Sequence, residues 1–246
     1  MRLLLLPLAA VVAVAAVALL PISPSHGRRG TEPRVAPPTA VPAQTAPLAS
    51  ADGAPAPRSQ AARAPQRQPA IRWRRSVAVG TPDAGSLVRG VQLPARGAGF
   101  ITWDPNLHRS PDRAWRRWGT DRLLRVLLAV ARQYSAAHPG APPLLIGDLS
   151  RPHGGNFGRQ YGYVWHASHQ NGLDADIFYP RKDRSRRAPR TAADIDRRLS
   201  QDLVNRLVRA GATKAFVGPG TGLTGPPAVV QVLRDHDDHV HVRIAP

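Results

Sequence analysis

The sequence predicts an α+β domain in which a central antiparallel sheet is flanked by helices and joined by long irregular loops. Two separated stretches carry apolar residues at helical spacing, and a series of short apolar segments suits strands. The connections are too irregular for repeated βαβ units, which leaves an antiparallel sheet as the expected core. Residues 76–80, 86–93 and 99–103 are apolar-rich pieces separated by Gly and Pro, as in irregular strands. Thr120 then precedes Asp121, and Leu123, Leu124, Leu127, Leu128, Val130 and Ala131 keep a helical period until His138, Pro139 and Gly140 stop the run. A second helix is expected to start around Thr191 to Asp194, to carry Ile195, Leu199, Leu203, Leu207 and Val208 on one stripe, and to end at Gly211. Residues 144–146, 175–179, 215–217 and 239–244 are short enough for strands.

The usable length is shorter than the 246 residues of the chain. The first aromatic residue is Trp73, so a packed core begins near that point and leaves roughly 170 residues, 72–246, for one domain of ordinary size. Ahead of it, Met1 and Arg2 precede an apolar run from Leu3 to Leu20 broken only by Pro7, the charge-then-hydrophobe order of an export signal. Residues 1–27 are therefore expected to be a signal peptide or an N-terminal anchor. The small residues Ser23, Ser25 and Gly27 make a poor cleavage site, and a retained segment would tether the chain to the membrane. Residues 28–71, rich in Pro, Ala and Arg and poor in periodic apolar residues, read as a disordered linker. The chain has no cysteine, which excludes disulfides and a lipid anchor on cysteine.

Net charge is +18, and among the 34 basic residues only Lys182 and Lys214 are lysines. Such a balance suits an anionic polymer, whether nucleic acid, phospholipid headgroups or an acidic cell wall, and coding bias with solubility accounts for it equally well. The stretch Arg181-Lys182-Asp183-Arg184-Ser185-Arg186-Arg187 reads first as a solvated loop and alternatively as a basic lip for anionic glycan. Tyr161, Tyr163, Trp165, Trp103, Trp115 and Trp118 read first as packing residues and second as the lining of a groove for sugar or peptide.

Five of the nine histidines fall in two tight groups, His166-Ala167-Ser168-His169 followed by Gly172-Leu173-Asp174-Ala175-Asp176, and His236-Asp237-Asp238-His239-Val240-His241. In the second group Val240, Val242 and Ile244 alternate with His239, His241 and Arg243, so an extended chain turns both imidazoles to one face and the aliphatics to the core. In the first, Gly172 permits a turn that brings His169 back toward Asp176, and a strand from Ala175 to Tyr179 holds Asp174 and Asp176 on one side. Singly, each histidine reads as a solvated or core residue. Together they point to a metal, because two His and one carboxylate form a common catalytic zinc triad with a fourth position open for water. Iron, nickel and manganese suit similar donors.

The pattern His166-x-x-His169-Gln170-x-Gly172-Leu173-Asp174-Ala175-Asp176 with a distant His236-Asp237-Asp238-His239-x-His241 resembles the penicillin-insensitive murein endopeptidases, within the wider lysostaphin and D-Ala-D-Ala metallopeptidase group. Gly147-Asp148-Leu149-Ser150 and Gly154-Gly155 support it, and the resemblance runs from about Ser76 to the C-terminus. It implies one zinc ion per chain held by His169, Asp176 and His241, with His239 as the first choice for proton transfer and His236 as base or oxyanion partner. His166 stands as an additional ligand or substrate contact, Asp174 as a supporting or additional ligand, and Asp238 as a further candidate base. The implied activity is hydrolysis of D-alanyl to diamino-acid cross-links between peptidoglycan stem peptides in the periplasm. A D-Ala-D-Ala carboxypeptidase and a non-catalytic cell-wall-binding module are the alternatives. A metal-dependent nuclease fits the charge alone, and export with both motifs weighs against a nucleic-acid partner. Two features depart from familiar members: the lack of cysteine, and the basic 181–187 stretch, which leaves no expectation of an accessory metal.

Overall fold

The computed structural model of the chain describes residues 70–158 and 166–246. The expected export segment 1–27, the expected linker 28–71 apart from Ala70 and Ile71, and Tyr161, Tyr163 and Trp165 lie outside the described residues. Among the described residues no helix is long and apolar enough to cross a membrane.

Strands β1 (Val77–Gly80) and β2 (Gly85–Val88) form a hairpin, and β3 (Val91–Gln92) pairs with β6 (Trp118–Gly119). The main sheet contains β4 (Arg96–Gly97), β5 (Phe100–Thr102), β7 (Leu144–Ile146), β8 (Asp174–Phe178), β9 (Ala212–Val217), β10 (Val230–Val232) and β11 (His239–Ile244). Their order across the sheet is β10-β9-β11-β8-β7-β5-β4. The centre is antiparallel as expected, with β11 between β8 and β9 and with β7 beside β8. The sheet as a whole is mixed, because β5 runs parallel to β7 and β10 parallel to β9. The departure has a topological cause: helix α1 (Asp121–Ala137) carries the chain back between β5 and β7, and a return of that kind makes the second strand parallel to the first.

Both helices pack on one face. From α1, Leu123, Leu127, Val130 and Tyr134 join Leu199, Leu203 and Leu207 of α2 (Arg197–Arg209) in a core that also takes Leu144, Ile146, Ala175, Ile177, Val240, Val242 and Ile244 from the sheet. The strand residues in that core alternate with the ones that carry the histidines, so the period of two divides the sheet into an apolar helix-covered face and a polar open face.

Helix α1 begins where its sequence signal places it. Thr120 is extended at φ −66° and ψ 152°, and its side chain accepts the Leu123 amide hydrogen at 3.1 Å. Helix α2 starts later than its sequence suggests, since Ile195 is drawn into an isolated bridge with Arg181 and Asp196 takes the capping place, accepting the Leu199 N–H at 3.1 Å. Gly211 ends that helix at φ +92°, a conformation that suits glycine. Because the Thr120 cap is buried at 4 % exposure, Thr120→Ala leaves the Leu123 N–H without a partner. We expect a loss of about 1 kcal/mol in urea unfolding with an unchanged denaturant slope; an unaltered midpoint would show that the cap contributes nothing.

Candidate functional site

The open face of the sheet is set by one register. Strands β8 and β11 pair antiparallel so that His239 lies opposite Phe178, His241 opposite Asp176 and Arg243 opposite Asp174. All six side chains alternate with core residues and therefore share the face away from the helices.

The first histidine group reaches the same place through a strained loop. His169 has φ 69°, uncommon for a residue with a Cβ, and Gly172 follows at φ 77°, where a Cβ would stand 2.9 Å from the Leu87 side chain. Asp174 Oδ2 accepts the His169 backbone N–H at 3.1 Å, and the His169 Nδ1–H donates to the Leu149 carbonyl at 2.7 Å. That second bond fixes the tautomer and leaves Nε2 bare toward the sheet.

Three donor atoms then converge. His169 Nε2 is 3.2 Å from His241 Nδ1 and 3.4 Å from Asp176 Oδ1, and those last two atoms are 3.1 Å apart. Donors at the corners of a tetrahedron with zinc-like bond lengths of about 2.05 Å stand about 3.3 Å from one another, so this triangle has the size of one tetrahedral face. Asp176 Oδ1 is buried and has no hydrogen bond of acceptable geometry, which is the state expected of a carboxylate oxygen reserved for a cation. His241 donates from Nε2 to Asp174 Oδ1 at 3.2 Å, and Arg243 Nε holds the same oxygen at 2.6 Å. Ligand atoms of His166, His169 and Asp176 also lie within 4.8 Å of one another and could hold a metal. In that second set, however, His166 Nε2 is engaged by Asp148 Oδ2 at 2.7 Å and stands 3.8 Å from Asp176 Oδ2.

The remaining predicted residues line the same cleft of 900 Å³. His239 donates from Nδ1 to Asp238 Oδ1 at 2.6 Å and turns Nε2 toward Asp176 Oδ1, 3.8 Å away. His236 donates from Nδ1 to the Arg234 carbonyl at 2.7 Å, and its ring centre is 4.8 Å from that of His239. Burial works against charge on every group here, and their neighbours decide the outcome. Asp176 is held well below the usual carboxylate range because the imidazoles of His169, His239 and His241 surround it. His241 is pushed up to about 9 by Asp174 and Asp176. Burial prevails at His169 and His236, which are lowered, whereas Asp176 and Asp238 outweigh it at His239, which is raised.

A family model described as penicillin-insensitive murein endopeptidase matches residues 78–215. The chain belongs to the penicillin-insensitive murein endopeptidase family. The matched span contains His166, His169, Asp174 and Asp176 and stops before His236, His239 and His241, which only the fold brings to them. The penicillin-insensitive murein endopeptidase of Haemophilus influenzae is 26% identical over 192 residues, covering 68% of this chain, and the chain spans 62% of that relative's length.

Sequence reasoning assigned no role to Arg116 or Asp148, yet both stand behind the cleft with no exposed surface. Arg116 grips Asp148 through Nε and Nη2, and its Nη1 donates to Asn106 Oδ1 at 2.7 Å and faces Asp104 Oδ1 at 3.4 Å. Asp148 in turn holds His166, so one buried cation positions a histidine of the site through a carboxylate. Arg116 is distant in sequence from both motifs, which is why no spacing argument finds it. Beside this pair, Asp112 Oδ2 is buried without a partner. Burial, reinforced by the charge of Asp148 and opposed by Arg116, pushes the Asp112 carboxyl up to about 8. Its folded value lies above its unfolded value of 3.8, so its proton stabilises the folded chain at low pH and that contribution is lost as pH rises through about 8. Asp112→Asn mimics the protonated acid. Relative to the unsubstituted chain, the variant should gain stability between about pH 4 and about pH 8 in denaturant titrations and keep that gain at higher pH; a constant difference between about pH 4 and about pH 8 would rule out the buried acid.

Proposed function

We propose that the chain is a zinc-dependent murein endopeptidase that hydrolyses D-alanyl to diamino-acid cross-links in peptidoglycan, with His169, Asp176 and His241 as the zinc ligands. The observation that carries this reading is the triangle of His169 Nε2, Asp176 Oδ1 and His241 Nδ1, with sides of 3.1–3.4 Å and a buried carboxylate oxygen that has no hydrogen bond of acceptable geometry among the described residues. Zinc bound there would supply a water of lowered pKa and a Lewis acid for the amide carbonyl.

The other residues have distinct tasks. Asp174 orients His241 through Nε2, as the Leu149 carbonyl orients His169 through Nδ1, so each ring presents one defined nitrogen. His239 is the proton-transfer group: Asp238 takes its Nδ1–H, and the bare Nε2 faces the site, where it accepts a proton and returns it to the leaving amine. His236, whose Nδ1–H is taken by the Arg234 carbonyl and whose pKa is lowered by burial, presents a bare Nε2 and is the alternative base. His166 is engaged by Asp148 and acts as a substrate contact in preference to a ligand. An endopeptidase is preferred to a D-Ala-D-Ala carboxypeptidase because the cleft shares Pro105, Phe178 and Asp238 with a neighbouring cavity of 690 Å³, which supports a substrate extending beyond the scissile bond. Such a substrate and the export-type N-terminus support a periplasmic location.

The decisive experiment is digestion of purified cross-linked peptidoglycan. The zinc-loaded chain should convert dimeric muropeptides to monomers, and both chelator and His241→Ala should abolish this together with zinc binding. His239→Ala should keep stoichiometric zinc while kcat falls about 10²–10⁴-fold. Shortened stems without loss of dimers would indicate the carboxypeptidase, and an unchanged wall with zinc bound would indicate a binding module. Metal uptake has its own signature. Because the metal-free His241 titrates near 9, it is protonated at neutral pH and must release that proton to bind zinc. Zinc affinity should therefore rise with pH up to about 9, and calorimetry in buffers of different ionisation enthalpy should count close to one released proton at about pH 7. Proton-neutral binding would remove His241 from the ligand set.

A further inference from the structure

The cavity beside the cleft has chemistry of its own. Apart from the shared walls, Trp103 and His108 line it together with the loop residues Arg187, Ala188, Pro189 and Arg190. This loop is anchored: Ala188 packs against the cluster of Trp103, Leu145 and Phe178, and Pro189 is buried. Arg187 and Arg190 are thereby held on either side of the anchor.

The basic segment is not uniformly free. Arg181 pairs with Asp183 at 2.9 Å and Asp194 at 3.0 Å, Arg184 pairs with Asp196 at 3.6 Å, and Lys182 Nζ donates to the Ala193 carbonyl at 2.8 Å. By contrast, Arg187 and Arg190 are exposed, and among the described residues neither guanidinium has an ion pair. Among the described residues the single acid in the cavity wall, Asp238, already accepts from His239. Two cations without ion pairs among the described residues therefore line a cavity whose remaining walls are largely apolar and which shares Pro105, Phe178 and Asp238 with the cleft.

We propose that this cavity is a subsite for a free carboxylate of the stem peptide, outside the scissile amide, held by Arg187 and Arg190. The proposal rests on the endopeptidase reading, since shared walls at Phe178 and Asp238 set the two spaces side by side, where one substrate can span both. A carboxylate is the matching group because the planar guanidinium binds it through two parallel hydrogen bonds. Trp103 and Phe178 offer apolar surface to the aliphatic part of the same arm. The basic stretch is then in part a recognition element, with its paired members bracing the loop and its unpaired members reading the substrate.

The test uses two synthetic cross-linked muropeptides that differ only in having their free stem carboxylates intact or amidated. The zinc-loaded full chain should show a KM about tenfold lower for the carboxylate substrate at similar kcat, as two solvent-exposed charge-assisted contacts allow. In an Arg187→Gln, Arg190→Gln double variant that preference should vanish through KM, and an Arg187→Lys, Arg190→Lys variant should keep part of it. Calorimetric binding to the metal-free chain should follow the same order without any turnover. Equal KM values for both substrates in the unsubstituted chain, or a preference that survives in the glutamine variant, would overturn the subsite and leave the endopeptidase intact. Failure to cleave either substrate would overturn the endopeptidase reading and the subsite with it.

Discussion

The pairing of β8 with β11 sets His241 directly opposite Asp176, and the rest of the cleft is arranged around that register. A slip of β11 by one residue would turn His239 and His241 into the helix-covered core and send Val240 and Val242 to the open face. The helices guard against this. Ala175, Ile177, Val240 and Val242 are each within 1 % of full burial, so the apolar contacts that stabilise the domain also specify which residues face the cleft.

Bringing His169 to that pair requires strain, and the surrounding bonds supply the compensation. Its left-handed backbone is held at the main-chain N–H by Asp174 and at the ring by Leu149, while Asp174 also orients His241 and accepts from Arg243. One buried carboxylate thus serves a loop, a strand and a ring. A second carboxylate, Asp148, plays a parallel part between Arg116 and His166. Buried ion pairs of this kind contribute little net stability against an apolar substitute, because desolvation offsets the attraction. Their value here is positional, and their cost appears in Asp112, a neighbouring acid that burial keeps protonated.

Charge has divided roles along the basic loop. Exposed ion pairs such as Arg181 with Asp183 and Asp194 stabilise weakly but shape the segment, and the apolar anchor at Ala188 and Pro189 fixes where the free cations stand. Net charge alone was compatible with an anionic partner without selecting one, whereas the proposed subsite at Arg187 and Arg190 would select a group that fits a guanidinium fork.

Much of this was legible in the chain before folding. Alternation in 239–244 separated His239 and His241 from the core, Thr120 marked a helix start, Gly172 marked the turn behind His169, and the two histidine motifs carried the family. Those features are local, governed by side-chain period, capping and backbone conformation within a few residues. Parallel pairing of β5 with β7, the late start of α2 at Asp196, the Arg116–Asp148–His166 chain and the second cavity were decided only by the tertiary structure. Each depends on groups far apart in sequence whose contact is set by how the sheet and loops pack, and no spacing rule encodes that distance. The sequence by itself offered the residues proposed to hold a metal. The fold decided which nitrogen each histidine presents, because the tautomer follows from the carbonyl or carboxylate that packing places behind the ring.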